Sequence, residues 1–137
     1  MTTPFATPQD AEDAFYDALD ERDAAMMAAV WEASDEIACI LPMTPLFHGA
    51  QVRELWQPMF EGSAEFDIRI KHIRWIETAD FALHFIEESV TLKGGQPTQP
   101  VYATNAYRKG ADGWHLVLHQ NSPTPPPAGA APPGHGS

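Results

Sequence analysis

Hydrophobic residues in the first half of the chain recur at helical spacing and predict three helices. The first helix begins at Thr7, which can cap it, and at Pro8, which suits the first helical turn. Asp23 is placed to cap a second, short helix, and Gly49 opens a third in which Pro58 should kink the final turns. The apolar stripe of the first helix has the spacing i, i+3, i+4, i+7, i+8 and consists of Ala11, Ala14, Phe15, Ala18 and Leu19.

Elsewhere the pattern changes to alternation, which predicts strands. A short strand covers Glu36–Leu41, and a loop, Met43–His48, follows it. Two long strands, Phe66–Glu77 and Phe81–Lys93, come after the third helix, and Val101–Pro123 forms a β-hairpin whose turn contains two glycines. Helices followed by consecutive strands indicate an α+β domain, in which a mostly antiparallel sheet with a four-strand meander is covered on one face by helices.

Both faces of the strand Phe81–Lys93 are apolar. One face carries Phe81, Leu83 and Phe85, and the other carries Ala82 and Ile86. One face can pack on the helices, and the other needs a partner because a large exposed apolar patch is rare on a soluble monomer. The sequence therefore predicts a homodimer formed through the sheet.

The length of 137 residues and an apolar fraction of 44% fit one globular domain. We expect it to cover residues 8–123, after an N-terminal extension of residues 1–7 and before a tail, residues 124–137, that is rich in proline, glycine and alanine. A net charge of −11 argues against nucleic acid and anionic membranes as partners. The single cysteine, Cys39, suits a reducing compartment, and no apolar run approaches a membrane span, so we expect a cytoplasmic protein.

Five stretches of the chain resemble the NTF2-like superfamily, and in particular its SnoaL-like and ketosteroid-isomerase-like branch. They read F-Y-D-A-L-D-E-R-D, E-I-A-C-I-L-P, L-F-H-G, A-T-N-A-Y-R-K and W-H-L-V-L-H-Q-N-S-P. The resemblance covers nearly all of residues 8–123. It implies a cone of three helices on a strongly curved sheet, an apolar pocket inside it, and a homodimer through the sheet.

The resemblance also allows a comparison with the catalytic residues of ketosteroid isomerase. Tyr16 lies near the position of the family's oxyanion-hole tyrosine. The base belongs at Ile40–Pro42, and the second acid belongs at Ala103–Tyr107, but neither stretch contains a carboxylate. The sequence therefore argues against ketosteroid isomerase activity.

His119 is the leading candidate for an acid or base in the pocket, because imidazole exchanges protons near neutral pH. The alternative is a core histidine whose ring is satisfied by a backbone carbonyl. Asn105 and Tyr107 share one face of their strand and, with Tyr16, are candidate hydrogen-bond donors toward developing oxyanion charge. Asn105 can equally bond across strands.

Other residues are candidates for the pocket wall and its rim. Trp31 and Trp56, with Tyr107, can line a site for a flat apolar ligand, although aromatic residues at helical spacing are usually core. Leu41 ends the first strand beside the pocket, and His48 is expected at the rim.

No metal or cofactor is expected. His115 and His119 are four residues apart on one strand, ~13 Å, too far to share an ion. His72 and His84 can meet across neighbouring strands but have no cysteine or carboxylate partner in the pattern. Cys39 alternates with apolar residues, which is typical of an inert buried thiol.

These observations predict a small-molecule-binding protein with an apolar pocket and a small apolar ligand. Its reaction would be that of an isomerase, cyclase or hydratase acting on an apolar carbonyl compound through His119. The alternative is a non-catalytic dimeric module that serves binding or oligomerisation. Arg74 and Glu88 are interpreted as a structural or interfacial pair across the two middle strands.

Overall fold

The computed structural model describes residues 5–62 and 65–125. They form three helices and six strands in the order expected for an α+β domain. The elements are α1 (Pro8–Glu21), α2 (Ala24–Val30), β1 (Ala38–Ile40), β2 (Phe47–His48), α3 (Ala50–Gly62), β3 (Phe66–Glu77), β4 (Phe81–Leu92), β5 (Val101–Gly110) and β6 (Gly113–Pro123).

The helix ends confirm the predicted caps. The Thr7 hydroxyl accepts a hydrogen bond from the backbone N–H of Asp10 at 3.1 Å, and the Asp23 carboxylate accepts one from Met26 at 3.0 Å. α3 contains Pro58 and begins one residue after Gly49, whose φ of 57° favours glycine. Trp31 lies just beyond α2, where it forms a bridge to β6 instead of a last helical turn.

The four long strands form the predicted antiparallel meander, but the sheet is larger than a four-strand meander. Its order is β2-β1-β6-β5-β4-β3, and β1 runs parallel to β6. β2 lies inside the stretch Met43–His48, where only a loop was predicted, because two residues are too short to show alternation. β1 and β2 extend the sheet because the free edge of β6 has backbone donors and acceptors that need partners.

Alternation along β4 sorts its side chains onto the two faces of the sheet. Ala82, His84, Ile86 and Glu88 are buried on the inner face, against the helices, whereas Phe85 lies on the outer face and is only partly buried. The inner face and the helices enclose an aromatic and aliphatic core, whose largest buried members include Phe15, Met27, Trp56, Ile86 and Leu116. The sheet curves around this core, so the cone expected from the sequence is present.

The predicted terminal segments lie only partly within the described residues. Phe5, from the predicted N-terminal extension, is buried, and its carbonyl accepts a hydrogen bond from the Trp114 N–H at 2.9 Å. Most of the predicted tail, residues 126–137, lies outside the described residues. Among the helices that the structure describes, none is long and apolar enough to cross a membrane.

Candidate functional site

An apolar cavity of about 470 Å³ lies inside the cone, where β3 and β5 begin and β4 and β6 end. A smaller depression of about 350 Å³ adjoins it beside the residues that follow β1. The volume suits a drug-sized organic molecule. Most of the wall is aliphatic or aromatic, and it includes Leu19, Leu41, Met59, Phe66, Ile68 and Val90.

Three buried polar side chains line the floor of this cavity: Glu88 from β4, and His119 and Asn121 from β6. With Asn105 and Tyr16 behind them they form one hydrogen-bonded group, which we call the floor cluster. His119 is 1% exposed, and its Nδ1 lies 2.6 Å from Asn105 Oδ1, while its Nε2 lies 3.0 Å from Asn121 Oδ1. The cluster therefore holds the imidazole ring from both sides.

The other hydrogen bonds of the two amide groups determine which atom of each faces His119. Asn121 Nδ2 donates to Glu88 Oε1 at 2.8 Å and to the Tyr102 carbonyl at 3.1 Å, so its Oδ1 must face His119. Asn105 Nδ2 donates to the Tyr16 hydroxyl at 3.1 Å, so its Oδ1 also faces the ring. Both ring nitrogens thus meet acceptors, an arrangement that suits a doubly protonated imidazolium.

Burial opposes that charged form. It lowers the pKa of His119 and outweighs the opposite effect of the Glu88 carboxylate, whose Oε2 lies 3.8 Å from Nε2. The lowered pKa favours the neutral ring at pH 7. A proton that arrives at Nε2 would meet Asn121 Oδ1 and the Glu88 carboxylate, so the surroundings are already arranged for the imidazolium.

Tyr16 supports the floor from behind and does not line the cavity. Its hydroxyl donates to Glu88 Oε2 at 2.5 Å. Burial, followed by the charge of Glu88, raises the pKa of Tyr16 well above its ordinary value, so the phenol keeps its proton. Tyr16 and Asn105 consequently orient Glu88 and His119.

A second buried polar group, which we call the Glu12 cluster, continues the network away from the cavity. Glu12 projects from α1, is completely buried, and accepts through Oε1 from His72 Nε2 at 2.9 Å. Its Oε2 lies 3.0 Å from His84 Nδ1 and 3.2 Å from the Tyr107 hydroxyl, which donates to it. Asn105 Nδ2, 3.5 Å from the same oxygen, joins this cluster to the floor cluster.

His84 lies between two carboxylates in the Glu12 cluster, those of Glu12 and Glu77. Burial disfavours its charged form, but the carboxylates of Glu12 and of Glu77, 2.7 Å from Nε2, outweigh burial and raise the pKa of His84. Burial also raises the pKa of Glu12, but the two histidines outweigh it, so the net shift is downward. Trp75 stacks on the His84 ring with centroids 4.2 Å apart, a geometry that favours a cation over the indole.

The residues predicted for the site are spread over several parts of the fold. His119 and Leu41 line the cavity, as expected for a pocket. Trp31 and Trp56 are buried in the core with ring centroids 6.3 Å apart, and they are not part of the cavity wall. Tyr107 belongs to the Glu12 cluster, and His48 is exposed on β2.

Sequence reasoning missed Glu88, Asn121 and Glu12. Glu88 lies opposite Ile70 and bonds to Tyr16 and Asn121, so the predicted pair with Arg74 is wrong; Arg74 lies opposite Phe85. The sequence did contain a signal for the burial of Glu88, because every second residue of β4 lies on one face and Glu88 shares that face with Ala82, His84 and Ile86.

Metal binding and thiol chemistry find little support in the geometry of the described residues. Within residues 5–62 and 65–125, no group of three or more His, Cys, Asp or Glu side chains is arranged to hold a metal ion. His72 and His84 meet at Glu12 and form hydrogen bonds with it. Burial raises the pKa of the Cys39 thiol to about 12, which agrees with an inert thiol.

The fold and cavity together define the class: an α+β cone of the NTF2-like type, with three helices on a curved mixed sheet. Residues 9–126 match the SnoaL-like domain family, and the chain belongs to that family.

Three comparisons give the range of similar proteins. A protein from Thiobacillus denitrificans, assigned as a calcium/calmodulin-dependent protein kinase type II association domain, is 39% identical, with a TM-score of 0.84 over 88% of this chain and 98% of that one. A protein from Streptomyces avermitilis, assigned as a dehydratase of the NTF2-like family, is 25% identical, with a TM-score of 0.75 over 85% of this chain and 92% of that one. The F-box protein SKIP8 of Arabidopsis thaliana is 28% identical over 79% of this chain, which spans only 46% of that relative's length.

Proposed function

We propose that this chain binds a small apolar molecule in the cavity and that His119 exchanges a proton with it. The observation that carries the proposal is a buried, neutral imidazole at the floor of an apolar cavity, next to groups already placed to hold its protonated form. The proposed reaction is that of an isomerase, cyclase or hydratase on an apolar carbonyl compound. The likeness to a protein assigned as a dehydratase supports this class.

In the proposed step, Nε2 of His119 takes a proton from the carbon next to the ligand carbonyl, and the imidazolium later returns it to another ligand atom. Asn121 Oδ1 lies 3.0 Å from Nε2, so its side chain must turn away while the proton is exchanged and can then hold the proton. Tyr16 and Asn105 are positioning residues in this scheme. The Tyr16 hydroxyl donates to Glu88, and the Asn105 amide donates to the Tyr16 hydroxyl, so both donors are already engaged within the floor cluster. The scheme differs from that of ketosteroid isomerase, because neither Ile40–Pro42 nor Ala103–Tyr107 contains a carboxylate.

Native mass spectrometry of the purified protein tests the binding proposal. We expect a discrete small molecule that is released on denaturation, and we expect its loss in Val90→Trp, which fills the cavity. Thr91→Trp is the matched control, because the next residue on β4 faces the other side of the sheet. Equal ligand content in the two variants would contradict the proposal.

A second candidate is a non-catalytic module that associates with copies of itself. The 39% identity to a protein assigned as an association domain favours it. The outer face of the sheet also supports it, since Ile76 and Phe81 are 47% and 39% exposed beside the partly buried Leu83 and Phe85. The homodimer proposed from the sequence would use this face.

Sedimentation separates the oligomeric states. We expect a dimer or larger assembly at micromolar concentration and dissociation in Phe85→Glu, which places a charge at the centre of the outer face. A wild-type monomer would contradict self-association. The cytoplasm remains our proposed location, and it is supported by the unpaired thiol of Cys39.

A further inference from the structure

The cavity wall has one ionic feature. Its lining residues include the Glu88 side chain, while no lysine or arginine of the described residues contributes to the lining. The other polar members of the wall, such as Thr98 and Gln99, are uncharged. The cavity therefore has an acidic floor beneath an apolar wall.

The Glu88 carboxylate is buried but not saturated with hydrogen bonds. It accepts from Tyr16 on Oε2 and from Asn121 on Oε1, and a carboxylate has about four acceptor positions. Its side chain is 6% exposed and lines the cavity, so the unused positions are available to a bound molecule.

The nearby histidine does not cancel this charge in the resting state. Because burial lowers the pKa of His119, the neutral ring is favoured at pH 7. Its Nε2 and Glu88 Oε2 are 3.8 Å apart, beyond direct hydrogen-bond distance. A ligand that enters the cavity thus meets an uncompensated carboxylate.

We propose that Glu88 selects the ligand by charge, so that the cavity accepts an apolar molecule with an uncharged or cationic head group and rejects a carboxylate. This inference rests on the proposed function, since it concerns the same cavity. A second anion within a few ångströms of Glu88 would be repelled in a site where water is scarce, whereas an amine or hydroxyl could donate to the free positions of the carboxylate.

Three probes with one alkyl chain and different head groups test the selectivity. Octylamine, octanol and octanoate are titrated against the fluorescent probe N-phenyl-1-naphthylamine bound to the protein, at pH 7 and about 0.15 M salt, which screens surface charge. We expect octylamine and octanol to bind at least about tenfold more tightly than octanoate, a difference of about 1.4 kcal/mol.

Glu88→Gln should remove most of this difference, because the amide keeps the shape of the side chain and loses its charge. Glu87→Gln is the matched control, since Glu87 is adjacent on β4 and faces the outer side opposite Tyr102. It should keep the wild-type preference. If Glu88→Gln does not fold, the wild-type series still tests the proposal, because octanoate bound as tightly as octanol would overturn it.

The outcomes separate the two proposals. Wild-type binding of octanoate as tight as that of octanol would overturn the charge selection and leave the pocket function standing. An unchanged preference in a folded Glu88→Gln variant would also overturn it. If N-phenyl-1-naphthylamine and all three alkyl probes fail to bind, the proposed pocket function fails, and the selectivity fails with it.

Discussion

Glu12→Gln is the substitution from which we expect the largest loss of stability at a polar site. The wild-type carboxylate is completely buried and meets His72, His84 and Tyr107 at 2.9, 3.0 and 3.2 Å. The amide keeps nearly the same shape, but it has one acceptor oxygen and no charge. The substitution therefore leaves the imidazolium of His84 without the carboxylate that is its buried counter-ion.

Removing one partner of a buried ion pair costs about 3–5 kcal/mol, and we take the lower end because Glu77 still holds the other nitrogen of His84. We therefore expect the free energy of unfolding to fall by about 3 kcal/mol and the melting temperature by about 10 °C. Urea unfolding at pH 6, followed by tryptophan fluorescence and circular dichroism, measures the loss directly.

Glu77→Gln is the control for this prediction. The Glu77 side chain bonds to the same histidine but is 40% exposed, so solvent screens the pair and we expect a loss below about 1 kcal/mol. If Glu12→Gln costs no more than Glu77→Gln, the buried pair does not stabilise the fold, and the reasoning is refuted.

Three further predictions concern pH, the thiol and a helix cap. The pKa of His84 is raised in the folded protein, so its contribution to the free energy of unfolding is complete below the ordinary value of 6.5 and is lost as the pH rises through the folded value. The pKa of Glu12 is lowered, so its contribution to the free energy of unfolding is complete above 4.5 and is lost as the pH falls through the folded value. The free energy of unfolding, measured across pH, should thus be highest between 4.5 and 6.5, and Glu12→Gln should reduce its decrease on both the acidic and the alkaline side. An unchanged pH profile in Glu12→Gln would contradict the role given to this buried pair. Cys39, with a pKa of about 12 in place of 9.0, carries about a thousandfold less thiolate than an ordinary thiol, so reaction with a disulfide reagent should await unfolding, and rapid labelling of the folded protein would disprove this. Asp23→Ala removes the cap of α2 and should cost about 1 kcal/mol in urea unfolding, whereas Asp23→Asn should cost much less.

Much of the fold followed from local pattern. The stripe through Phe15 and Leu19 determined the buried face of α1, and the alternation of β4 separated Ile86 from Phe85 correctly. β2 could not be found in this way, because its two residues form a strand only through pairing with β1. The parallel pairing of β1 with β6 joins residues distant in sequence, so no local pattern reports it.

The candidate site was less predictable. His119 was chosen for its chemistry and does line the cavity. Glu88 was assigned to a pair with Arg74 and Glu12 was not singled out, yet each shares a face with residues predicted to be buried. Their burial depends on partners such as His84 and Asn121, which come from other strands. Only the folded arrangement shows which polar side chains satisfy one another.

The central position of β6 has a consequence for biosynthesis. β6 follows the other described strands along the chain, yet it lies between β5 and β1 and supplies two of the three polar groups at the cavity floor. A nascent chain on the ribosome can form the early helices and the hairpin of β3 and β4, but β1 has no sheet to join until residues 113–123 emerge. The cavity therefore cannot be complete before β6 pairs with β5 and β1, because His119 and Asn121 are part of its floor.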